Sequence, residues 1–208
     1  MNAAPERLFI EGQAGAIEAI VEETAVAGSS YAIVCHPHPL YGGTMDNKVV
    51  TTVARALHET GMATLRFNFR GVGSSAGVFD RGAGETDDAD AVASWGAQRW
   101  PGRTLVIAGF SFGAYVALRL AQQRVPRHLI TIAPALALFD AFGMAVPRVP
   151  WLLVQGDADE MVDPAAVINW ANGLDPKPRL VVLPGVGHLF HGSLRELRDA
   201  VVDAILSG

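Results

Sequence analysis

The sequence lacks several features that would point to particular classes of protein. Cys35 is its only cysteine, which excludes an intrachain disulfide and fits a reducing compartment. Acidic residues outnumber basic ones, 21 to 16, so there is no excess of positive charge for nucleic-acid phosphates. No apolar run reaches the ~18 residues of a membrane span, and the first residues lack a signal-peptide pattern. We therefore expect a cytoplasmic protein that binds neither nucleic acid nor membrane.

The chain has 208 residues, half of them hydrophobic, which is enough for one domain with a buried sheet. We expect a single domain over residues 1–208. Short β-branched runs predict buried strands at 31–35, 63–69, 104–110, 128–134, 151–156 and 179–185. Helical spacing predicts helices at 44–58, 85–99, 113–124, 164–173 and 194–206, and alternating runs at 7–12 and 16–23 predict an antiparallel hairpin. This order predicts an α/β fold with about eight strands, mostly parallel, and helices on both faces.

The stretch Gly109-Phe110-Ser111-Phe112-Gly113 joins a predicted strand to a predicted helix almost without a loop. A turn this sharp strains the residue at its centre and lifts its side chain above the sheet. It also directs the N–H of Phe112 towards an anionic oxygen beside the serine. Ser111 is therefore a candidate nucleophile, and a purely structural turn is the alternative.

A serine needs a base to become nucleophilic, and the base needs an orienting acid. Candidates for both follow later strands, at the edge of the sheet where the reactive loops of α/β folds lie. His188 follows the last predicted strand in a glycine-flanked loop, and the order Ser, Asp, His is that of the elbow motif. Position alone leaves the acid open, because four carboxylates follow the penultimate strand: Asp157, Asp159, Glu160 and Asp163. Asp163 precedes Pro164 and is interpreted more simply as a helix N-cap.

Together these segments resemble the α/β-hydrolase superfamily, and within it the small lidless serine esterases similar to the dienelactone-hydrolase branch. The resemblance covers nearly the whole chain through HPHPLYGGTMDNK, RFNFRGVGSSAG, GFSFG, QGDADEMVD and GVGHLFHG. It implies an α/β-hydrolase fold without a lid domain, with Ser111 as nucleophile, His188 as base and Asp159 as acid. Asp157 is the main alternative acid, and Asp140 is a further one, because some family members place the acid one strand earlier. Dienelactone hydrolases themselves have cysteine where this chain has Ser111.

The loop after the first parallel strand contains His36-Pro37-His38-Pro39-Leu40. We expect it to supply a second oxyanion N–H, as the corresponding loop does in related hydrolases. Proline has no N–H, so the donor is either His38 or Leu40. The two histidines also have a spacing that a metal could use, but no carboxylate or cysteine follows at ligand spacing.

The segment 71–76 formally matches the glycine pattern of dinucleotide-binding sites, with Asp88 and Asp90 about 20 residues further on. That pattern must open directly into a helix, and here further loop residues intervene. The two aspartates also fall within a predicted helix rather than at a strand end. We therefore expect neither a cofactor nor a metal.

These observations predict a serine hydrolase that cleaves carboxylic esters through an acyl-enzyme. The short segment 135–150 has no room for a lid domain, which favours small or soluble esters as substrates. Two alternatives stay open. The first is another triad enzyme, such as a peptidase, thioesterase, C–C hydrolase or acyltransferase, because fold and triad do not fix the substrate. The second is a non-catalytic binding protein on the same fold.

Overall fold

The computed structural model describes residues 4–24, 28–139 and 141–207. In these ranges the strands are β1 (Glu6–Gly12), β2 (Gly15–Glu22), β3 (Ser30–Cys35), β4 (Ala63–Phe67), β5 (Thr104–Phe110), β6 (His128–Ile132), β7 (Trp151–Gly156) and β8 (Arg179–Leu183). The α-helices are α1 (Lys48–Glu59), α2 (Ala83–Arg99), α3 (Phe112–Gln123), α4 (Pro164–Gly173) and α5 (Leu194–Leu206).

The described strands form one sheet in the order β1-β2-β4-β3-β5-β6-β7-β8. β1 and β2 pair as an antiparallel hairpin, and β2 continues antiparallel to β4. Every pair from β4 to β8 is parallel. The predicted α/β fold, an eight-stranded and mostly parallel sheet that begins with a hairpin, is confirmed.

Helices cover both faces of the sheet, and they bury the central strands on both sides. Side chains of β3 alternate between the two layers: Ile33 belongs to the apolar cluster that includes residues of α2, α3 and α4, and Val34 belongs to the cluster that includes residues of α1 and α5. Each layer is a continuous apolar cluster. The sequences of the central strands are therefore continuous hydrophobic runs and do not alternate between apolar and polar residues. This packing fixes the strand ends from which the reactive loops emerge.

β4 is shorter than the sequence pattern predicts, and the N–H of its last predicted residue, Phe69, is bound outside the sheet. The strand ends at Phe67, and the Asn68 N–H donates to the carbonyl oxygen of Glu18. The next N–H, that of Phe69, donates to the imidazole of His36. The chain therefore leaves the sheet early and comes against the loop that follows β3.

The first helix also begins later than predicted, at Lys48 instead of residue 44. The Asn47 side chain accepts the N–H of Val49 and caps the helix there. Residues 36–47 consequently stay as a loop, with one 3₁₀ turn at Pro39–Tyr41, above the carboxyl end of β3.

The connection between β6 and β7 is the place where a lid would be inserted in this fold. Its described residues form only two 3₁₀ turns, Ala137–Phe139 and Ala141–Gly143. The carboxyl edge of the sheet is thus left open, and the predicted absence of a lid domain is confirmed. Within the described ranges, no helix combines the length and the apolar character that crossing a bilayer requires.

Candidate active site

Ser111 stands alone in the turn between β5, which ends at Phe110, and α3, which begins at Phe112. Its φ of 56° and ψ of −116° are strained for a residue with a side chain. Two glycines make a turn this tight possible. A Cβ on Gly109 would come within 2.1 Å of the Gly113 carbonyl oxygen, and a Cβ on Gly113 would come within 2.5 Å of that of His36. The close packing of the backbone therefore holds the serine in its strained conformation.

A continuous chain of hydrogen bonds runs from Ser111 through His188 to Asp159. The Ser111 Oγ lies 3.0 Å from His188 Nε2, and His188 Nδ1 lies 2.8 Å from Asp159 Oδ2. All three residues are buried. With an ionised carboxylate, Nδ1–H donates to Asp159, which leaves Nε2 free to accept the serine hydroxyl. The structure thus brings together the three residues that the sequence analysis names as nucleophile, base and acid.

Asp159 is held by bonds to both of its carboxylate oxygens. Oδ1 accepts the N–H groups of Met161 and Val162 at 2.9 and 2.8 Å, and Oδ2 accepts Gln155 Nε2 at 3.1 Å in addition to the imidazole. Burial raises the pKa of this carboxyl, but the bonds from His188 and from the two amides outweigh it and hold the pKa below its usual value. The carboxylate is therefore ionised and fixed in direction.

Two neighbouring carboxylates lie close to Asp159 but bind the backbone instead of the imidazole. The exposed Asp157, the main alternative acid, accepts the N–H of Gly185 at 2.6 Å. Glu160 accepts the backbone N–H of His188 at 3.1 Å and so helps to fix the loop that carries the histidine. From the sequence Glu160 is only one of four candidate acids, and its bond to the His188 amide is not predicted because a side chain bound to a backbone amide leaves no motif.

The remaining candidate acids have other positions. Asp163 Oδ1 accepts the N–H groups of Ala165 and Ala166 at the start of α4, so its predicted role as helix N-cap is confirmed. Asp140 lies outside the described residues. Of the four carboxylates after β7, Asp159 is thus the one that contacts His188 through the ring.

Two backbone amides are candidates for stabilising an oxyanion beside Ser111. Phe112 is the first residue of α3, where an N–H has no acceptor within the helix and the helix dipole favours negative charge. In the loop after β3, the Leu40 N–H already donates to His38 Nδ1 at 3.2 Å, and Leu40 is 68% exposed. His38, in contrast, lines the same cavity as Ser111. The amide of His38 is therefore kept as the candidate for the second donor.

His36 is completely buried, and both of its ring nitrogens bind backbone groups. Nε2 accepts the N–H of Phe69 at 3.0 Å, so the hydrogen is on Nδ1 and is donated to the Pro37 carbonyl oxygen at 2.6 Å. Burial lowers the pKa of this imidazole to about 4, which keeps it neutral. The Pro37 carbonyl and the His38 N–H belong to one trans peptide plane and point in opposite directions. By holding the carbonyl, His36 also fixes the direction of the His38 N–H.

The two cofactor alternatives find no support in this geometry. Both His36 nitrogens are occupied, and in the described part of the chain no three His, Cys, Asp or Glu side chains converge as metal ligands would. The glycine-rich segment 71–76 is followed by turns until α2 begins at Ala83. Asp88, one of the two aspartates that follow this segment, is buried and paired with Arg70.

An open cavity of about 230 Å³ lies above Ser111, and we call it the reactive cavity. Its walls are mainly apolar and aromatic, and they include Tyr41, Phe112, Leu138, Phe139, Met161 and Leu189. Among the described residues that line it there is no Asp, Glu, Lys or Arg. The arrangement therefore offers a buried, hydrogen-bonded serine and histidine to an uncharged and mostly apolar ligand.

Comparisons with known proteins agree with this geometry. A family model for X-Pro dipeptidyl-peptidase (S15 family) matches residues 28–148, more than half of the chain. The uncharacterized protein RP471 of Rickettsia prowazekii is 34% identical in an alignment that covers 97% of this chain and 89% of that protein.

Two solved structures are more similar still. XC6422 from Xanthomonas campestris, a member of the α/β serine hydrolases without lid, is 46% identical with a TM-score of 0.93, over 99% of this chain and 95% of that chain. An α/β serine hydrolase homologue from Coxiella burnetii is 43% identical with a TM-score of 0.92, over 95% of this chain and 96% of that chain. The predicted resemblance is thereby confirmed: the chain belongs to the α/β serine hydrolases without a lid, within the family that the S15 model describes.

Proposed function

We propose that the chain is a serine carboxylesterase, with Ser111 as nucleophile, His188 as general base and Asp159 as the orienting acid. The observation that carries the proposal is the hydrogen-bond chain Ser111–His188–Asp159, buried beneath an open apolar cavity. A serine bound to an imidazole whose other nitrogen faces an ionised carboxylate is the arrangement that activates a hydroxyl.

The reaction proceeds in two acyl transfers. His188 Nε2 takes the hydroxyl proton while the Ser111 oxygen attacks the ester carbonyl, and Asp159 stabilises the imidazolium that forms. His188 then gives this proton to the leaving alcohol as the carbon–oxygen bond breaks, which leaves the acyl group on the serine. Water enters, loses a proton to His188 and attacks the acyl-enzyme. The serine leaves and recovers its proton from the imidazolium, and the carboxylic acid is released.

The tetrahedral intermediates of both steps carry negative charge on the former carbonyl oxygen. We assign the N–H of Phe112 and the N–H of His38 as its donors. The first is supported by its place at the start of α3, and the second by the His36–Pro37 bond that orients the peptide. Fixed amides stabilise such an anion without reorganising during the reaction.

The lining of the reactive cavity favours an uncharged ester over a dipeptide. A dipeptidyl-peptidase must accommodate the ammonium group of its substrate, which a carboxylate would bind. The described residues that line the cavity include no Asp or Glu. They also include no Lys or Arg, which would select an acidic acyl group. The same lining is compatible with small carboxylic esters.

A substrate panel tests the proposal. Turnover of 4-nitrophenyl acetate and butyrate is measured beside an X-Pro 4-nitroanilide and an acyl thioester, each with wild type and Ser111→Ala. We expect the oxygen esters to have the highest kcat/KM and to lose turnover in Ser111→Ala. Faster cleavage of the X-Pro anilide would show a peptidase instead, and ester turnover that survives in Ser111→Ala would remove the serine from the mechanism.

A further inference from the structure

A second cavity, of about 80 Å³, lies beside the reactive cavity and has no part in the steps above. We call it the side pocket. The two cavities share four lining residues, Ala135, Leu138, Met161 and Val162. Two of these, Leu138 and Met161, are 69% and 58% exposed. The wall between the cavities is therefore formed partly by side chains that are not packed in the core, and the two spaces adjoin.

The side pocket is suited to hydrocarbon. Its remaining lining comes from Ala137 and Phe142 on one side and from Ala166 and Val167 of α4 on the other. Among the described residues that line it, Asp163 is the one that carries a charge, and its carboxylate already accepts two amides at the start of α4. A chain of methylene groups that binds there is removed from water. Its binding breaks no contact between a charged or polar group and its partner.

The position of His188 decides which part of an ester reaches the side pocket. His188 lines the reactive cavity but not the side pocket. Since His188 must protonate the leaving alcohol, the alcohol lies on the His188 side, and the acyl chain is the part directed elsewhere. We propose that the side pocket binds the far end of the acyl chain, and that the preferred substrates are esters of linear aliphatic acids too long for the reactive cavity alone.

This inference rests on the proposed esterase activity and is tested with a matched pair of variants in the first turn of α4. Ala166→Leu places an isobutyl group in the side pocket, and Ala165→Leu places the same group on the exposed surface one residue earlier. The kcat/KM values for 4-nitrophenyl acetate, butyrate, hexanoate and octanoate are measured for wild type and both variants, below the concentration at which the esters aggregate.

Each methylene that the side pocket removes from water contributes about fourfold to kcat/KM. We expect wild type and Ala165→Leu to favour octanoate or hexanoate over acetate. In Ala166→Leu, octanoate turnover should fall at least about tenfold while acetate turnover is unchanged. Unchanged acetate turnover also shows that the variant is folded and that its triad is intact.

Three results would overturn the subsite. They are an equal effect on acetate and octanoate in Ala166→Leu, no effect on either ester, or the same octanoate loss in Ala165→Leu. Octyl acetate is therefore measured beside the 4-nitrophenyl esters, and a loss in Ala166→Leu confined to octyl acetate would assign the pocket to the alcohol and refute the acyl assignment. Absence of acetate and octanoate turnover in wild type would instead contradict the esterase function itself, so the two failures are distinguishable.

Discussion

His36 and His188 have almost the same setting and differ in what their ring nitrogens face. Each is buried, each follows a strand of the sheet at its carboxyl end, and each packs against a phenylalanine ring, with centroids 4.5 and 5.0 Å apart. The nitrogens of His36 bind an amide and a carbonyl of the backbone. Those of His188 bind the hydroxyl of Ser111 and the carboxylate of Asp159.

The difference shows that partners, more than burial, separate a reactive histidine from a structural one. A backbone amide does not lose its proton and a backbone carbonyl does not accept one, so the two bonds fix one tautomer of His36. Its ring therefore only connects two backbone segments. A serine hydroxyl can lose its proton, and a carboxylate stabilises the imidazolium that results. His188 is therefore placed to move a proton, whereas His36 is placed to orient a peptide.

Removal of His188, which we propose as the general base, should lower activity most. We expect His188→Ala to lower kcat for 4-nitrophenyl butyrate on the order of 10⁶-fold, because the triad acts as a unit. The double variant with Ser111→Ala should lose little more. Circular dichroism and thermal unfolding check that the variants fold. If His188→Ala retained a tenth of the wild-type kcat, the account of this histidine would be wrong.

Substitutions at Asp159 and Asp157 distinguish which of the two carboxylates orients His188. Asp159→Asn should lower kcat about 10⁴-fold, because the amide favours the wrong tautomer of His188. Asp157→Asn is the matched control, and we expect its kcat to stay within severalfold of wild type, since Asp157 contacts the Gly185 amide and not the ring. Steady-state kinetics are measured on both variants. If the larger loss of kcat were found in Asp157→Asn, Asp157 and not Asp159 would be the orienting acid.

Two substitutions of His36 test its positioning of the oxyanion donor. His36→Asn keeps an N–H in place of Nδ1, and His36→Gln keeps an acceptor in place of Nε2. We expect the glutamine variant to lose about 10²-fold in kcat with little change in KM, because the second oxyanion donor acts in the transition state. The asparagine variant should recover most of this loss. Equal kcat values in the two variants, or a change confined to KM, would reject the positioning role.

The smallest predicted effect is on stability as a function of pH. The pKa of His36 is about 4 in the folded protein and 6.5 without the fold, so between these values the unfolded chain binds more protons and stability falls as the pH falls. This contribution amounts to about 2 kcal/mol between pH 7 and 5. Urea unfolding at both values should show a correspondingly smaller pH dependence in His36→Gln. Identical dependence in wild type and variant would contradict the shifted pKa.

Most of the fold could be predicted from the sequence because its elements repeat a simple pattern of buried strands and amphipathic helices. Two of the deviations arise where a single hydrogen bond marks the end of an element. β4 stops at Phe67 because Phe69 binds His36, and α1 starts at Lys48 because Asn47 caps it. Such bonds depend on which loops meet in space, and the local sequence does not record that.

The residues of the candidate site also differ in whether the sequence alone predicts them. Ser111 and His188 were predictable because the elbow and the glycine-flanked loop fix their positions within their own segments. Asp159 was harder to distinguish from Asp157, since the choice depends on which side chain the loop turns towards the imidazole. The positioning bonds of His36 and Glu160 were not predicted, because their partners are backbone groups that any sequence provides.

Fluorophosphonate labelling followed by intact-mass analysis tests whether the fold activates Ser111. We expect a single adduct on wild type, no adduct on Ser111→Ala and greatly slowed labelling of His188→Ala. Folded wild type that forms no adduct, or an adduct that persists in Ser111→Ala, would contradict the activation of Ser111.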